Sequence, residues 1–255
     1  MENRFRLDGK VAIVTGASSG LGAALAADFA AAGAHVALGA RRADRLQAVT
    51  EQVEANGGRA LAVPTDVADP DACSRLVARA HEHFGRVDVL VNNAGVRVTV
   101  PATHETPEQF RSVVDVNLMG AYWMAQAAAR VMQPGSSVIN VSSVFGMVAV
   151  GAPFPQAAYS SSKAGLCALT RDLANQWSKR KGIRVNTISP GYFATEMTEE
   201  LEEHPELHDL IRERSMLERL GDAHELTAAA IFLASDASSY ITGVNLPVDG
   251  GLTAR

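Results

Sequence analysis

Short, almost continuous hydrophobic runs rich in β-branched residues recur along the chain and alternate with longer stretches of helical periodicity. Runs of this kind are typical of strands in a parallel sheet that is covered on both faces. Because the helical stretches between them require crossover connections, the pattern predicts an α/β fold, a doubly wound parallel sheet of about seven strands with helices on both faces. The predicted strands are residues 11–14, 35–40, 60–64, 87–91, 137–141, 183–188 and 244–248.

Capping signals mark the starts of several of the helices. Residues 43–55 form an amphipathic stretch that ends before Gly57. Asp69 is an N-cap residue followed by Pro70 at the first helical position, and residues 106–109 have the sequence of a capping box. These signals place helix boundaries between the predicted strands, as a Rossmann-like topology requires.

One segment departs from this alternation. Residues 191–220 are polar and acidic, contain Pro205 and show only weak helical periodicity. Segments of this kind commonly cover binding sites, so a helical substrate lid is predicted there. The sequence shows no linker, low-complexity tract or internal repeat, and residues 1–255 are therefore interpreted as a single domain.

Composition narrows the class of partner. The 255 residues are 47% hydrophobic and 20% charged, and the net charge of −5 does not favour binding to nucleic acid or to an anionic membrane. Charged residues, glycine or proline interrupt every apolar run before it reaches the length of a membrane span. The first ten residues lack an apolar signal-peptide core, and Cys73 and Cys167 show neither disulfide nor metal spacing. A cytoplasmic protein with a small-molecule partner is expected.

A glycine-rich turn follows the first predicted strand. Glycines permit a tight turn and a close approach of the backbone to a pyrophosphate, and the helix that starts near Leu21 offers N–H groups to an anion. The alternative is that the glycines only make a tight joint between strand and helix, but the position after the first strand favours dinucleotide binding. The turn reads Thr15-Gly16-Ala17-Ser18-Ser19-Gly20-Leu21-Gly22.

The end of the second predicted strand bears on the choice of dinucleotide. NAD-binding folds of this kind place an acidic residue there, which holds the ribose hydroxyls. This chain has Arg41 and Arg42 instead, and guanidinium groups suit a 2′-phosphate. Asp44 stands too late for the acidic role. NADP is therefore the predicted cofactor and NAD the less favoured one, while the alternative for both arginines is that they are solvated charges at a helix start.

Tyr159 and Lys163 lie four residues apart on a predicted helix. Side chains at positions i and i+4 share one face, with Cβ atoms about 5–6 Å apart. A phenol with a pKa of about 10 is a poor base at neutral pH, and a nearby cation favours its ionised form. Beside a dinucleotide the pair indicates proton transfer, whereas the alternative is a surface pair on an amphipathic helix.

Taken together, these motifs resemble the short-chain dehydrogenase/reductase family over essentially the full length of the chain. Each further piece is weak alone, but their order along the chain matches the family. The resemblance implies an NADP-dependent enzyme that interconverts a ketone and a secondary alcohol. The further matching pieces are Asp66-Val67, Asn92-Asn93-Ala94-Gly95, Asn117, Ser143, Pro190-Gly191 with Thr195-x-Met197, and Val248-Asp249-Gly250-Gly251.

The resemblance also implies individual roles. Tyr159 would exchange a proton with the substrate oxygen, and Ser143 would hydrogen-bond that oxygen. Lys163 would bind the nicotinamide ribose and lower the pKa of the phenol, and Asn117 would hold a water molecule in a proton relay. The residues expected to bind the cofactor are Gly16, Ser18, Ser19, Gly20, Leu21, Gly22, Arg41, Arg42, Asp66, Val67, Asn93, Ala94, Gly95, Tyr159, Lys163, Pro190, Gly191, Thr195 and Met197.

Two features depart from typical members of the family. The stretch 146–158 is about three residues longer, which affects the shape of the substrate pocket. Two serines, Ser142 and Ser143, compete for the substrate-binding role, and Ser143 is preferred because Gly146 follows it at the family spacing. An apolar lining that favours a hydrophobic ketone is expected from Phe145, Met147, Val148, Phe154, Tyr192, Phe193, Met197 and Leu201.

The region around residues 190–198 looks most like sugar-acid dehydrogenases and 3-oxoacyl reductases. An alternative function is an NAD-dependent polyol or sugar-acid dehydrogenase, and a further one is a non-catalytic dinucleotide-binding regulator. His204 and His208 have a spacing that could bind zinc, but no third ligand is evident and no metal site is predicted. The family resemblance implies a homo-oligomer, a tetramer or a dimer.

Overall fold

A parallel sheet with the strand order β3-β2-β1-β4-β5-β6-β7 forms the centre of the molecule. The computed structural model describes residues 4–149, 155–193 and 213–254. The predicted α/β sheet is confirmed, because every predicted strand is present and each pairs in parallel with its neighbours. The strands are β1 (Val11–Thr15), β2 (His35–Ala40), β3 (Arg59–Pro64), β4 (Val89–Asn92), β5 (Ser137–Val141), β6 (Arg184–Pro190) and β7 (Asn245–Val248).

Helices connect these strands. The N-cap of α3 is confirmed, since the Asp69 side chain accepts a hydrogen bond from the Asp71 N–H, and the predicted capping box at Thr106 and Gln109 is present. A π-helical turn over Asp115–Gly120, which the sequence pattern did not predict, separates α4 from α5. The α-helices of the described residues are α1 (Gly20–Ala31), α2 (Ala43–Ala55), α3 (Pro70–Phe84), α4 (Pro107–Val114), α5 (Ala121–Val131), α6 (Ala157–Lys181) and α7 (Ala223–Ala234).

Two hydrophobic clusters cover the two faces of the sheet. Ala12 and Val14 of β1 pack into one cluster with Phe29 of α1, whereas Ile13 packs into the other with Leu76 of α3. Successive strand residues therefore point into different cores, which is the physical reason for the nearly continuous hydrophobic runs. Because both faces are filled in this way, the carboxyl ends of the strands remain the place for a site.

The first residue of β4 differs from the prediction, and a side-chain hydrogen bond explains the difference. The sequence pattern predicted a strand over 87–91, but the ladder begins at Val89. The Asp88 carboxylate accepts a hydrogen bond from the Val11 N–H at 2.9 Å and pairs with Arg86. The Val11 N–H is thus paired with the Asp88 side chain instead of with the strand ladder, and β4 starts two residues later than predicted.

The predicted lid over 191–220 falls mainly on residues 194–212, which lie outside the described residues. On either side of that gap, Phe193 and Gly221 form an isolated parallel bridge. Among the helices that the structure describes, none combines the length and the apolar character needed to cross a membrane.

Candidate active site

A cavity of about 650 Å³ opens where the strand order reverses between β1 and β4. Such switch points are where open α/β sheets bind their ligands. Thr195 and Met197 lie outside the described residues, and Asn117 is not part of the cavity lining. The predicted site residues that line the cavity are Gly16, Ser18, Ser19, Gly20, Leu21, Gly22, Arg41, Arg42, Asp66, Val67, Asn93, Ala94, Gly95, Ser143, Tyr159, Lys163, Pro190 and Gly191.

The glycine-rich turn is closed by contacts that only glycine permits. Gly16 has a φ of 66°, in the left-handed region. A Cβ on Gly22 would lie 2.1 Å from the Gly16 carbonyl oxygen, which leaves no room for a side chain. The Ser19 side chain at the N-cap of α1 makes no capping hydrogen bond, and the first turn of α1 carries no acidic residue. The N-terminal N–H groups of α1 therefore offer an anion-binding end toward the cavity.

Arg42 links the end of β2 to this turn. Its Nη2 donates to the Ser19 Oγ at 2.7 Å and to the Ser18 Oγ at 3.2 Å. Arg41 lines the same part of the cavity, whereas Asp44, in the first turn of α2, does not. The guanidinium of Arg42 therefore lies beside the N-terminus of α1. Its positive charge adds to the positive end of the helix dipole there.

Thr15 joins the ends of β1 and β4 below the cavity. Its hydroxyl accepts hydrogen bonds from the Asn93 N–H at 3.0 Å and the Ala94 N–H at 3.1 Å, and donates to the Val91 carbonyl at 3.3 Å. The Asn93 amide in turn donates to the Thr15 carbonyl at 3.0 Å. One side chain therefore fixes the loop after β4 relative to the glycine-rich turn.

Replacing Thr15 with valine keeps the shape of the side chain but leaves the two N–H groups without their acceptor. We expect the free energy of unfolding to fall by about 1–3 kcal/mol. Thr15→Ser retains the hydroxyl and serves as the matched control, with a smaller loss. Urea denaturation of the three proteins measures the difference; equal losses for valine and serine would show that the methyl group, rather than the hydrogen bonds, stabilises the loop.

Tyr159 and Lys163 both line the cavity from α6, as the sequence predicted. The Lys163 Nζ lies 5.6 Å from the centroid of the Tyr159 ring and donates to the Val141 carbonyl at 2.7 Å. Ser143 lowers the pKa of the phenol, and its Oγ accepts a hydrogen bond from the Phe145 N–H at 3.2 Å. The Ser142 hydroxyl instead donates to the Lys163 carbonyl at 2.8 Å, so this serine supports α6. Both serines line the cavity, and the choice of Ser143 for the substrate side stays a prediction.

Burial and charge act in opposite directions on these groups. Burial raises the pKa of Tyr159, while the hydrogen bond with Ser143 and the positive charge of Arg97 lower it. Burial lowers the pKa of Lys163 to about 8. Arg97 is thus a cation that lowers the pKa of the phenol and that sequence reasoning did not name. The same role for Lys163, implied by the family resemblance, stays a prediction.

The lowered pKa of Lys163 predicts a pH dependence of stability. Between pH about 8 and its ordinary value of 10.5, the unfolded chain holds the Lys163 proton that the folded protein has lost. Because the unfolded state binds more protons in this window, this group makes the free energy of unfolding rise with pH across it. We expect that contribution to vanish in Lys163→Met. Denaturation of both cofactor-free proteins at several pH values measures it, and parallel curves would contradict the assignment.

Asn117 lies in the π-helical turn between α4 and α5. Its amide nitrogen donates to the Val96 carbonyl at 2.9 Å and to the Ser162 hydroxyl at 3.1 Å, and its oxygen accepts from the Val96 N–H at 2.8 Å. The side chain therefore joins the loop after β4 to α6. Turns of this type are frequent at functional sites because they re-aim a side chain within a helix. The water relay expected of Asn117 stays a prediction.

Aromatic rings form one wall near the phenol. The Phe145 ring lies edge-on to both Tyr159 and Tyr192, with centroids 6.2 and 6.1 Å away. Phe193 also lines the cavity, whereas Met147 and Val148 are exposed and lie outside its described lining. The expected apolar lining is therefore present only in part. The other residues expected there, Phe154, Met197 and Leu201, are outside the described residues.

Sequence reasoning did not predict all of the lining, and two of the residues that it missed are Arg97 and Gln156. Arg97 follows the turn after β4, and Gln156 immediately precedes α6. No spacing in the sequence marks either position, since they are brought together only by the packing of the two segments. The backbone hydrogen bond from the Val100 N–H to the Pro155 carbonyl, at 2.9 Å, records that packing.

Comparison with known proteins agrees with this geometry. The enoyl-(acyl carrier protein) reductase family model matches residues 16–253. Galactitol 2-dehydrogenase (L-tagatose-forming) of Cereibacter sphaeroides is 39% identical over 98% of this chain and 97% of its own. The 3-oxoacyl-[acyl-carrier-protein] reductase of Synechocystis sp. is 39% identical over 96% of this chain and 98% of its own.

Solved structures give the same result. The structure of a gluconate 5-dehydrogenase from Burkholderia cenocepacia, in complex with NADP and tartrate, superposes with a TM-score of 0.92 at 34% identity. The match covers 99% of this chain and 98% of that one. The chain therefore belongs to the short-chain dehydrogenase/reductase family, as the resemblance of its motifs implied.

Proposed function

We propose that this protein is an NADPH-dependent oxidoreductase that interconverts a ketone and a secondary alcohol, with Tyr159 as the acid/base. The observation that carries this proposal is convergence: Tyr159, Ser143 and Lys163 share one cavity with the glycine-rich turn. A phosphate-binding end and a proton-donating end in the same cavity suit a reaction in which hydride and proton reach one carbonyl group.

The residues of the cavity fit a nicotinamide dinucleotide. The uncapped N-terminus of α1 suits a pyrophosphate, and Arg41 and Arg42 suit a 2′-phosphate at the neighbouring end. The NADP-bound gluconate 5-dehydrogenase supports the same assignment. When bound, the dinucleotide supplies or accepts the hydride. Asp66 and Val67 would border the adenine, and Lys163 would hold the nicotinamide ribose.

Side chains of the protein would transfer the proton. The Ser143 hydroxyl lies beside the phenol, so both groups are able to hydrogen-bond one substrate oxygen. Tyr159 would donate its proton to that oxygen during reduction and accept it back during oxidation. Arg97 favours the phenolate of Tyr159 and would assist the oxidative direction.

The related enzymes support an alcohol or sugar-type substrate, since one is named for galactitol and another for gluconate. An NAD-dependent polyol dehydrogenase is the second candidate, and the similarity to the galactitol enzyme is the observation that favours it.

We also expect a homo-oligomer. Phe110 of α4 and Met119 of the π-helical turn are 39% and 37% exposed, and burial against a second copy would remove their apolar surface from water.

The experiment that tests this function pairs binding with turnover. NADPH and NADH are titrated into the purified protein, and cofactor oxidation is followed with ketoses, keto-sugar acids and 3-oxoacyl thioesters. Tighter NADPH binding with turnover of one of these classes is the expected result. Tighter NADH binding with turnover of a ketose would favour the second candidate, and binding without turnover would favour a dinucleotide-binding regulator.

A further inference from the structure

The described lining of the cavity is more positive than the chain as a whole. It contains four cationic side chains against the single carboxylate of Asp66, whereas the net charge of the chain is −5. The proposed function uses Arg41 and Arg42 for the cofactor phosphate and Lys163 for the ribose. Arg97 is the fourth cation, and no cofactor contact is assigned to it.

Arg97 is half-buried and lines the same cavity as the reacting phenol. Its charge lowers the pKa of Tyr159. The preceding residue, Val96, is held on both its N–H and its carbonyl by Asn117, at 2.8 and 2.9 Å. The Val100 N–H donates to the Pro155 carbonyl at 2.9 Å, which holds the segment after Arg97 against the residue that precedes Gln156. The backbone that carries Arg97 is therefore fixed before any substrate arrives.

Gln156 adds a second polar group to this end of the cavity. It is only 7% exposed and lines the cavity, although it occupies the N-cap position of α6. Its side chain makes no capping hydrogen bond with that helix. A buried amide that does not serve its own helix is suited to a ligand. The N-terminus of α6, where Gln156 is the N-cap residue, adds a positive electrostatic potential beside this amide.

We infer that Arg97 and Gln156 form a subsite for a carboxylate of the substrate, so that the substrate is a polyhydroxy or keto acid and not a neutral polyol. This inference rests on the proposed function and specifies its substrate class. A guanidinium binds a carboxylate through paired charged hydrogen bonds, and the Gln156 amide is able to donate another.

The first test compares two ligands that differ in one group. The protein is saturated with NADPH and titrated with D-gluconate and with D-glucitol, in which a hydroxymethyl replaces the carboxylate. Calorimetry measures both dissociation constants. We expect gluconate to bind roughly 10–100-fold more tightly, the range of one or two charged hydrogen bonds. Arg97→Ala should remove this preference, and Arg97→Lys should keep part of it.

Control variants separate a subsite from a general effect of charge or fold. Arg79→Ala removes the same charge from the exposed face of α3 and should leave the preference unchanged. Gln156→Glu places a negative charge in the proposed subsite and should weaken the binding of gluconate more than the binding of glucitol. This variant also tests the subsite if Arg97→Ala does not fold.

Several outcomes would overturn the inference. Equal binding of gluconate and glucitol by the wild-type protein would do so, and so would a preference that survives in Arg97→Ala. If Arg97→Ala loses affinity for gluconate and glucitol equally, or loses NADPH affinity to the same extent, then Arg97 acts through Tyr159 or through the cofactor. If Arg97→Ala shifts the pH profile of turnover equally for acidic and neutral substrates, this shift would likewise show that Arg97 acts through Tyr159 and not on the substrate carboxylate.

Turnover distinguishes a failure of the subsite from a failure of the proposed function. The paired substrates are 5-keto-D-gluconate and L-sorbose, which share the ketone and differ in the carboxylate. Arg97→Ala should lower kcat/KM for the acid about 10–100-fold more than for sorbose, mainly through KM, whereas any effect that acts through the Tyr159 phenol should change kcat for both substrates alike. Arg97-dependent binding of gluconate without NADPH oxidation by either ketone would support the subsite and count against the oxidoreductase.

Discussion

Replacing Tyr159 with phenylalanine is expected to lower the rate of NADPH-dependent ketone reduction by about 10²–10⁴-fold, the usual contribution of a positioned proton donor. The substitution removes the phenolic oxygen, the only atom of this side chain that is able to exchange a proton. It retains the ring that packs against Phe145. Cofactor binding should therefore change little. Steady-state turnover and NADPH titration of the same preparations measure the two properties separately.

Tyr192 provides the matched control for this experiment. Its ring also lies edge-on to Phe145, and burial raises the pKa of its phenol to about 12. The proposed mechanism assigns no proton transfer to this phenol, so Tyr192→Phe should lose at least tenfold less activity than Tyr159→Phe. If Tyr159→Phe instead loses NADPH binding along with turnover, the residue is structural.

The second large effect is expected at the end of β2. Removing both guanidinium groups in Arg41→Ala/Arg42→Ala should weaken NADPH binding by about 10–100-fold, because charged hydrogen bonds to a phosphate are each worth roughly 1.5–3 kcal/mol. NADH lacks that phosphate, and its affinity should change by less than about threefold. The two dissociation constants, measured by fluorescence for each variant, give the comparison.

A third arginine in the same region controls for charge alone. Arg45 is exposed in the first turns of α2 and does not line the cavity. Arg45→Ala should therefore leave both affinities close to those of the wild-type protein. Equal losses of NADPH and NADH affinity in the double variant would refute the assignment of NADP, and would indicate that Arg42 acts only by holding Ser18 and Ser19.

Much of the fold was predictable because each piece is encoded locally. The hydrophobic runs of β1, β2 and β5 are explained by burial on both faces, and the caps at Asp69 and Thr106 are explained by hydrogen bonds over two or three residues. Interactions of such short range leave a readable pattern in the sequence.

Features that depend on distant neighbours left no such pattern. The π-helical turn over Asp115–Gly120 lies in a continuous helical stretch, and nothing in its composition marks the extra residue. The role of the Asn117 side chain was also not readable, because its partners Val96 and Ser162 are brought together only by the packing of the loop after β4 on α6.

The sequence by itself determined the α/β class, the family and the two motifs that meet in the cavity, the turn at 15–22 and the pair Tyr159 and Lys163. The reason is that spacing along a strand, a turn or a helix fixes the relative position of nearby residues. Only the tertiary structure placed Arg97 and Gln156 in the same cavity, because residues so far apart meet through the packing of distant segments and not through their spacing.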